Sequence, residues 1–96
     1  MADANDGTTR TNWIAIDIAK DWNVVMVESA EGQRQSFRVA NRAADHDRLI
    51  TFLRALPGRV RVALEATGDY HRPIAYRLKT EGFEVVSVSS VAQARY

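Results

Sequence analysis

The stretch W-I-A-I-D-I, residues 13 to 18, decides the fold. Its side chains alternate. Ile14, Ile16 and Ile18 point one way; Trp13, Ala15 and Asp17 point the other. Period two with one fully apolar side is the signature of a strand with a buried face. Asp17 is the exception on the second side, a carboxylate close to the strand end inside an apolar run.

Upstream, residues 1–12 are rich in Asp, Asn, Thr and Gly and read as a flexible tail. Downstream, Ala19 to Trp22 turns the chain, and Asn23 to Glu28 is a second, Val-rich strand. Glu31-Gly32 marks another turn, and Gln33 to Val39 is a third strand. Three strands joined by short turns form an antiparallel meander. The period then changes. Leu49, Phe52, Leu53 and Leu56 follow the i, i+3, i+4, i+7 rule of one helix face. Asn41 or Asp45 is placed to cap this helix, and Pro57-Gly58 stops it. His46, in its charged first turn, is expected to face solvent. Val60 to Ala66 is a fourth strand, with Glu65 at its end on the face of Arg61 and Ala63. A second helix presents Ile74 and Leu78 inward, with Pro73 in its first turn and Gly82 at its end. Glu84 to Ser89 is a fifth strand, and Val91 to Tyr96 begins a third helix.

The order βββ-α-β-α-β defines an α/β class. Right-handed crossovers between parallel strands give a five-stranded mixed sheet in the order 3-2-1-4-5, with strand two antiparallel to the others. Both crossovers then move the same way, so both helices fall on one face. The other face is expected to expose an apolar patch and to support self-association.

Composition bounds the function. The chain has 96 residues, 46% hydrophobic and 26% charged, as in one small globular domain. No apolar run reaches the roughly 18 residues that span a membrane, and residues 1–12 lack a signal-peptide core. A cytoplasmic protein is the expectation. With no cysteine, disulfides and cysteine-held metal are excluded. Nearly all of the basic residues are arginine, which suits phosphate but equally an ordinary surface.

Asp17 and Glu65 carry the chemistry. Ligand sites in α/β sheets gather at the carboxyl ends of parallel strands. If strands one and four are neighbours, both acids stand on that rim on strands about 4.8 Å apart. Two carboxylates this close repel, and a divalent cation offsets that. Mg²⁺ commonly takes one or two protein carboxylates, with water and phosphate oxygens completing its shell. Either acid alone is also explained as a solvated strand end or a helix cap, and spacing alone leaves both readings open.

The segments I-A-I-D-I-A-K-D (residues 14 to 21), A-L-E-A-T-G-D-Y-H-R-P (residues 63 to 73) and E-G-F-E-V-V-S-V-S-S (residues 81 to 90) resemble the insertion-sequence one-ten family of transposases. The resemblance runs from about Trp13 to the end of the sequence. It implies a ribonuclease-H-like, RuvC-like catalytic domain over residues 13–96, incomplete at its C-terminus. It implies an Asp-Glu-Asp-Asp tetrad binding Mg²⁺ or Mn²⁺, whose first Asp matches Asp17 and whose Glu matches Glu65. The remaining two acids belong to a D-x-x-D segment, and none follows Ser90. The family's C-terminal domain, with its strand-exchange serine, is also absent from the sequence. The implied partner is DNA, and some members of the family are guided by a structured RNA. The expectation is a fragment inactive on its own.

Lys20 fits the family's D-x-x-K pattern and is a candidate phosphate contact; an exposed turn lysine explains it as well. Tyr70, His71 and Arg72 follow the acidic rim and are candidates for nucleic-acid binding, each also readable as the surface of a helix start. Two other function classes compete. A non-catalytic remnant or nucleic-acid-binding module would use the same residues without chemistry. An actin-like ATPase also opens with an Asp-bearing hairpin, but its phosphate turn needs glycine, and Ile18-Ala19-Lys20-Asp21 has none.

Overall fold

The computed structural model describes residues 10–66 and 72–88. The elements are β1 (Thr11–Ile18), β2 (Trp22–Glu28), β3 (Arg34–Ala40), α1 (Ala43–Ala55), β4 (Arg59–Ala66), α2 (Arg72–Thr80) and β5 (Glu84–Val88). The sheet order is β3-β2-β1-β4-β5. β2 is antiparallel to β1 and β3, whereas β4 is parallel to β1 and β5. Class, strand order and direction are those expected from the sequence.

Alternation sorts the side chains as the opening strand implies. Ile14 is 1% exposed and Trp13 is 50% exposed. Ile14, Ile16 and Ile18 join Val25, Val27, Val62 and Leu64 in a single buried cluster. Leu49 and Leu53 of α1 and Ile74 and Leu78 of α2 belong to the same cluster, so both helices cover one face of the sheet. Phe37 and Phe52 meet edge to face, 5.1 Å between centroids, and fasten α1 to the edge strand β3. On the opposite face Trp13, Trp22, Val24, Met26 and Val86 are exposed, and nothing among the described residues covers them. A shallow hollow of about 530 Å³ lies there, between Trp13, Met26 and Ala63.

Three local features differ from the sequence reading. β1 starts at Thr11, inside the stretch read as a tail. Asn12 explains this. It is buried at 1% exposure, and its Nδ2 donates to Pro57 O (2.7 Å) and Arg59 O (3.0 Å). Its Oδ1 accepts from Ala30 N at 3.0 Å. One side chain thus ties the start of β1 to the α1–β4 connection and the β2–β3 turn. Gly58 in that connection has φ +92°, and a Cβ there would lie 3.2 Å from Arg10 O, so the turn needs glycine.

The start of α1 also differs. Arg42 holds the N-cap position without a side-chain bond to the helix. Asp45 instead reaches back, accepting from Ala40 N at 2.8 Å, so it fastens the end of β3 rather than capping the helix. His46 is buried rather than solvent-facing. One turn of helix places it above Asn41, with Nε2 3.4 Å from Asn41 Oδ1. Burial pushes its pKa below the ordinary histidine value, and Arg77 adds to this against the opposing pull of Asp45 and Asp47.

Two outcomes follow from these polar residues. Asn12→Ala leaves buried backbone groups without partners and is expected to cost about 1–3 kcal/mol, read as a lower urea midpoint. For His46, the unfolded chain takes up a proton near pH 6.5 while the folded chain resists it, so stability falls as pH drops below about 6.5. The lowered carboxyls of Asp45, Glu81 and Glu84 have the same sign but act only at more acidic pH. Urea midpoints between pH 7.5 and 5 should decline for the wild type and be flatter for His46→Gln.

Candidate functional site

Asp17 and Glu65 are each next to last in their strands, β1 and β4. The parallel ladder pairs them directly, Asp17 with Glu65, one step beyond Ala15 with Ala63. Register partners on neighbouring strands project to the same face, and this one is the face without helices. Asp17 is exposed and Glu65 half-buried. The two alanines keep the surface beside the carboxylates low. The same row continues to Val24 on β2 and Arg38 on β3, and on the other side to Val88 on β5.

What marks the pair is the lack of counter-charge among the described residues. Among the described residues the other carboxylates are mostly matched with arginine, as in Glu28–Arg34, Glu31–Arg10, Asp47–Arg77 and Glu84–Arg59. Asp17, Glu65 and Asp21 have no such partner among the described residues. No group of three or more potential metal ligands gathers among the described residues. Two carboxylates in register, open to water, nevertheless suit an oxygen-loving divalent ion that keeps most of its water shell. The hollow between Trp13, Met26 and Ala63 lies further down the sheet, so charge rather than that hollow marks this rim.

Of the other residues singled out in the sequence, Lys20 is exposed in the β1–β2 turn, beside the rim. Tyr70 and His71 lie outside the described residues. Arg72 is described only as the first residue of α2. The sequence reading missed a polar staple under this turn. Asn41 Nδ2 donates to Ala19 O (2.7 Å) and Lys20 O (3.0 Å), and Asn41 N donates to Asp21 O (3.0 Å). Asn23, fully buried, donates from Nδ2 to Asn41 Oδ1 at 2.8 Å, while its own Oδ1 has no partner among the described residues. The turn after Asp17 is therefore clamped to the β3–α1 junction. The signal was available, since Asn23 alternates with Val25 and Val27 on the core side of β2.

A mixed sheet with acids at the carboxyl rim of parallel strands is an α/β arrangement that many enzymes share. The family is more definite: residues 14–96 match the family model of the Asp-Glu-Asp-Asp transposases of the insertion-sequence one-ten type, described as "Transposase". The chain belongs to this transposase family. Among solved structures it is similar to the Pelota protein of Thermoplasma acidophilum, with a TM-score of 0.56 and 15% identity. That likeness covers 90% of this chain and 30% of Pelota, and it concerns the fold alone. No curated protein matches the chain.

Like charges directly opposite on neighbouring strands destabilise a sheet, on a scale of roughly 0.2–1 kcal/mol per pair. In the presence of EDTA, Asp17→Asn should therefore raise the urea midpoint slightly. A midpoint that stays or falls would mean that the two carboxylates do not oppose each other in the folded chain.

Proposed function

We propose that residues 13–96 form the first part of the metal-dependent catalytic domain of a DNA transposase, with Asp17 and Glu65 as two of its metal ligands. The observation that carries this reading is the direct pairing, at the rim of β1 and β4, of two carboxylates that have no arginine partner among the described residues. A Mg²⁺ or Mn²⁺ ion bound there would supply positive charge to a DNA phosphate and polarise it. The chain's own contribution is positional. The β1–β4 ladder fixes one carboxylate oxygen set against the other, and Ala15 and Ala63 leave room beside them. The partner is DNA, with a structured RNA as a guide, and the open face of the sheet serves self-association. The reaction belongs in the cytoplasm, where an element's DNA is accessible.

Two acids hold one ion weakly. A two-metal cleavage site needs ions about 3.5–4 Å apart that clamp both the attacking and the leaving oxygen. Residues 1–96 are therefore expected to bind divalent metal weakly and not to cut DNA unaided. In a Mn²⁺ titration followed by NMR line broadening, the effect should centre on residues flanking Asp17 and Glu65. It should disappear in Asp17→Asn and Glu65→Gln. Broadening centred elsewhere, or surviving both substitutions, removes the site assignment. Metal-dependent nicking by the 96-residue chain would overturn its inactivity.

A further inference from the structure

Charge matching divides the arginines as it divides the acids. Among the described side chains, Arg10, Arg34 and Arg59 are typical, each facing a glutamate. Among the described residues Arg38 and Lys20 form no ion pair with a carboxylate, and Arg42 forms none at contact distance, its charge acting on Asp45 from further away. All three lie at the acid end of the sheet. Lys20 is in the β1–β2 turn, Arg38 is on the open face of β3, and Arg42 precedes α1. Lys20, Asp21, Trp22 and Arg42 line one hollow of about 320 Å³. Asp21 is the only acid in that lining.

Trp22 ties this group together. Its ring is 45% exposed, and the Arg38 guanidinium stands 4.9 Å from the ring centroid. The same face repeats the motif at its far end, where Arg61 lies 5.0 Å from the Trp13 centroid. There Glu84 sits 3.6 Å from Arg61 and offsets its charge. At Trp22 no carboxylate among the described residues does. A guanidinium held by an indole rather than by a carboxylate keeps its in-plane N–H donors free and its charge uncompensated. Arg38 is also in the row of Asp17, with Val24 between them, so it stands about 10 Å away across two strand spacings. The Asn41 clamp holds the turn in place, so the surface is formed in advance of any ligand.

We propose that Trp22, Arg38, Arg42 and Lys20 form a docking surface for an unpaired DNA strand, leading it to the Asp17–Glu65 rim. Bases stack on the Trp22–Arg38 pair, and Arg38, Arg42 and Lys20 meet phosphates. This rests on the nucleic-acid reading of the preceding subsection. An unpaired strand fits better than a duplex because a half-exposed indole offers a π-face that only an unstacked base can use.

The test uses the 96-residue chain and fluorescence anisotropy with labelled oligothymidine, oligouridine of equal length and a DNA duplex. Arg38→Ala and Arg42→Ala should each weaken oligothymidine binding about fivefold and flatten its salt dependence by about 0.7 per lost contact. Trp22→Leu should weaken the unpaired strands about fivefold or more and the duplex less. Arg34→Ala, on the same strand but matched with Glu28, should bind as wild type. Thermal midpoints of all variants separate loss of the surface from loss of the fold. Tighter binding of oligothymidine than of oligouridine supports the surface, and the reverse order overturns it as a DNA surface. Wild-type affinity in the Arg38, Arg42 and Trp22 variants, or an equal loss in Arg34→Ala, overturns this surface and leaves the DNA reading standing. A wild type that binds no nucleic acid overturns both.

Discussion

The parallel pairing of β1 with β4 couples the hydrophobic core to the acidic rim, and the coupling is geometric. Ile14 lies beside Val62 and Ile16 beside Leu64 on the buried face. Because side chains alternate with period two, a slip of one residue would turn these groups into water. The register is thus enforced by burial of some of the best-packed residues in the molecule. The same register sets Asp17 against Glu65 on the other face. Two mutually repelling carboxylates are held together by apolar packing on the reverse side of their own strands. Their placement needs no stabilising contact of its own, which leaves both free for a ligand.

Periodicity in the sequence was enough to read the sheet. The isoleucines of β1, the valines of β2 and β4, and the Leu49–Leu53 face of α1 each repeat with one period, and each went where that period sends it. Polar residues were harder. Asn12 and Asn23 look like ordinary loop or strand-end residues until the chain segments they bridge are brought together from far along the sequence. Asp45 sits where a capping residue belongs, yet the backbone N–H of Ala40 captures it. His46 was misplaced for a related reason: flanking aspartates suggest a wet surface, but the helix turns its ring toward Asn41. The paired register of Asp17 and Glu65 was legible because both follow an alanine on an alternating strand. The Trp22–Arg38 stack was not, since only the β2–β3 register joins residues on opposite sides of a turn.

Surface ion pairs such as Arg10–Glu31 contribute little to stability individually. Collectively they have another effect here. Among the described residues they leave, apart from Lys79 on α2, the charges without an ion pair near the end of β1, acids on β1 and β4 and bases beside them. A chain with a net charge of only +1 can therefore present a local field with a definite direction. Bulk composition conceals this, because the many arginines are distributed by partner rather than by number.

The spacing of paired strands along the chain carries a kinetic consequence. β1, β2 and β3 join through short turns and can zip together locally. β1 and β4 join residues half the chain apart, Thr11 with Arg59 at one end of the ladder. Closing that loop costs entropy before any parallel contact offsets it. The hairpins accordingly have every reason to assemble early, while the acidic rim, which needs β4, comes into being only with the longest-range closure. During synthesis the free edge of β1 would wait for β4 to emerge from the ribosome, and in that interval the chain is most open to pairing with a neighbour.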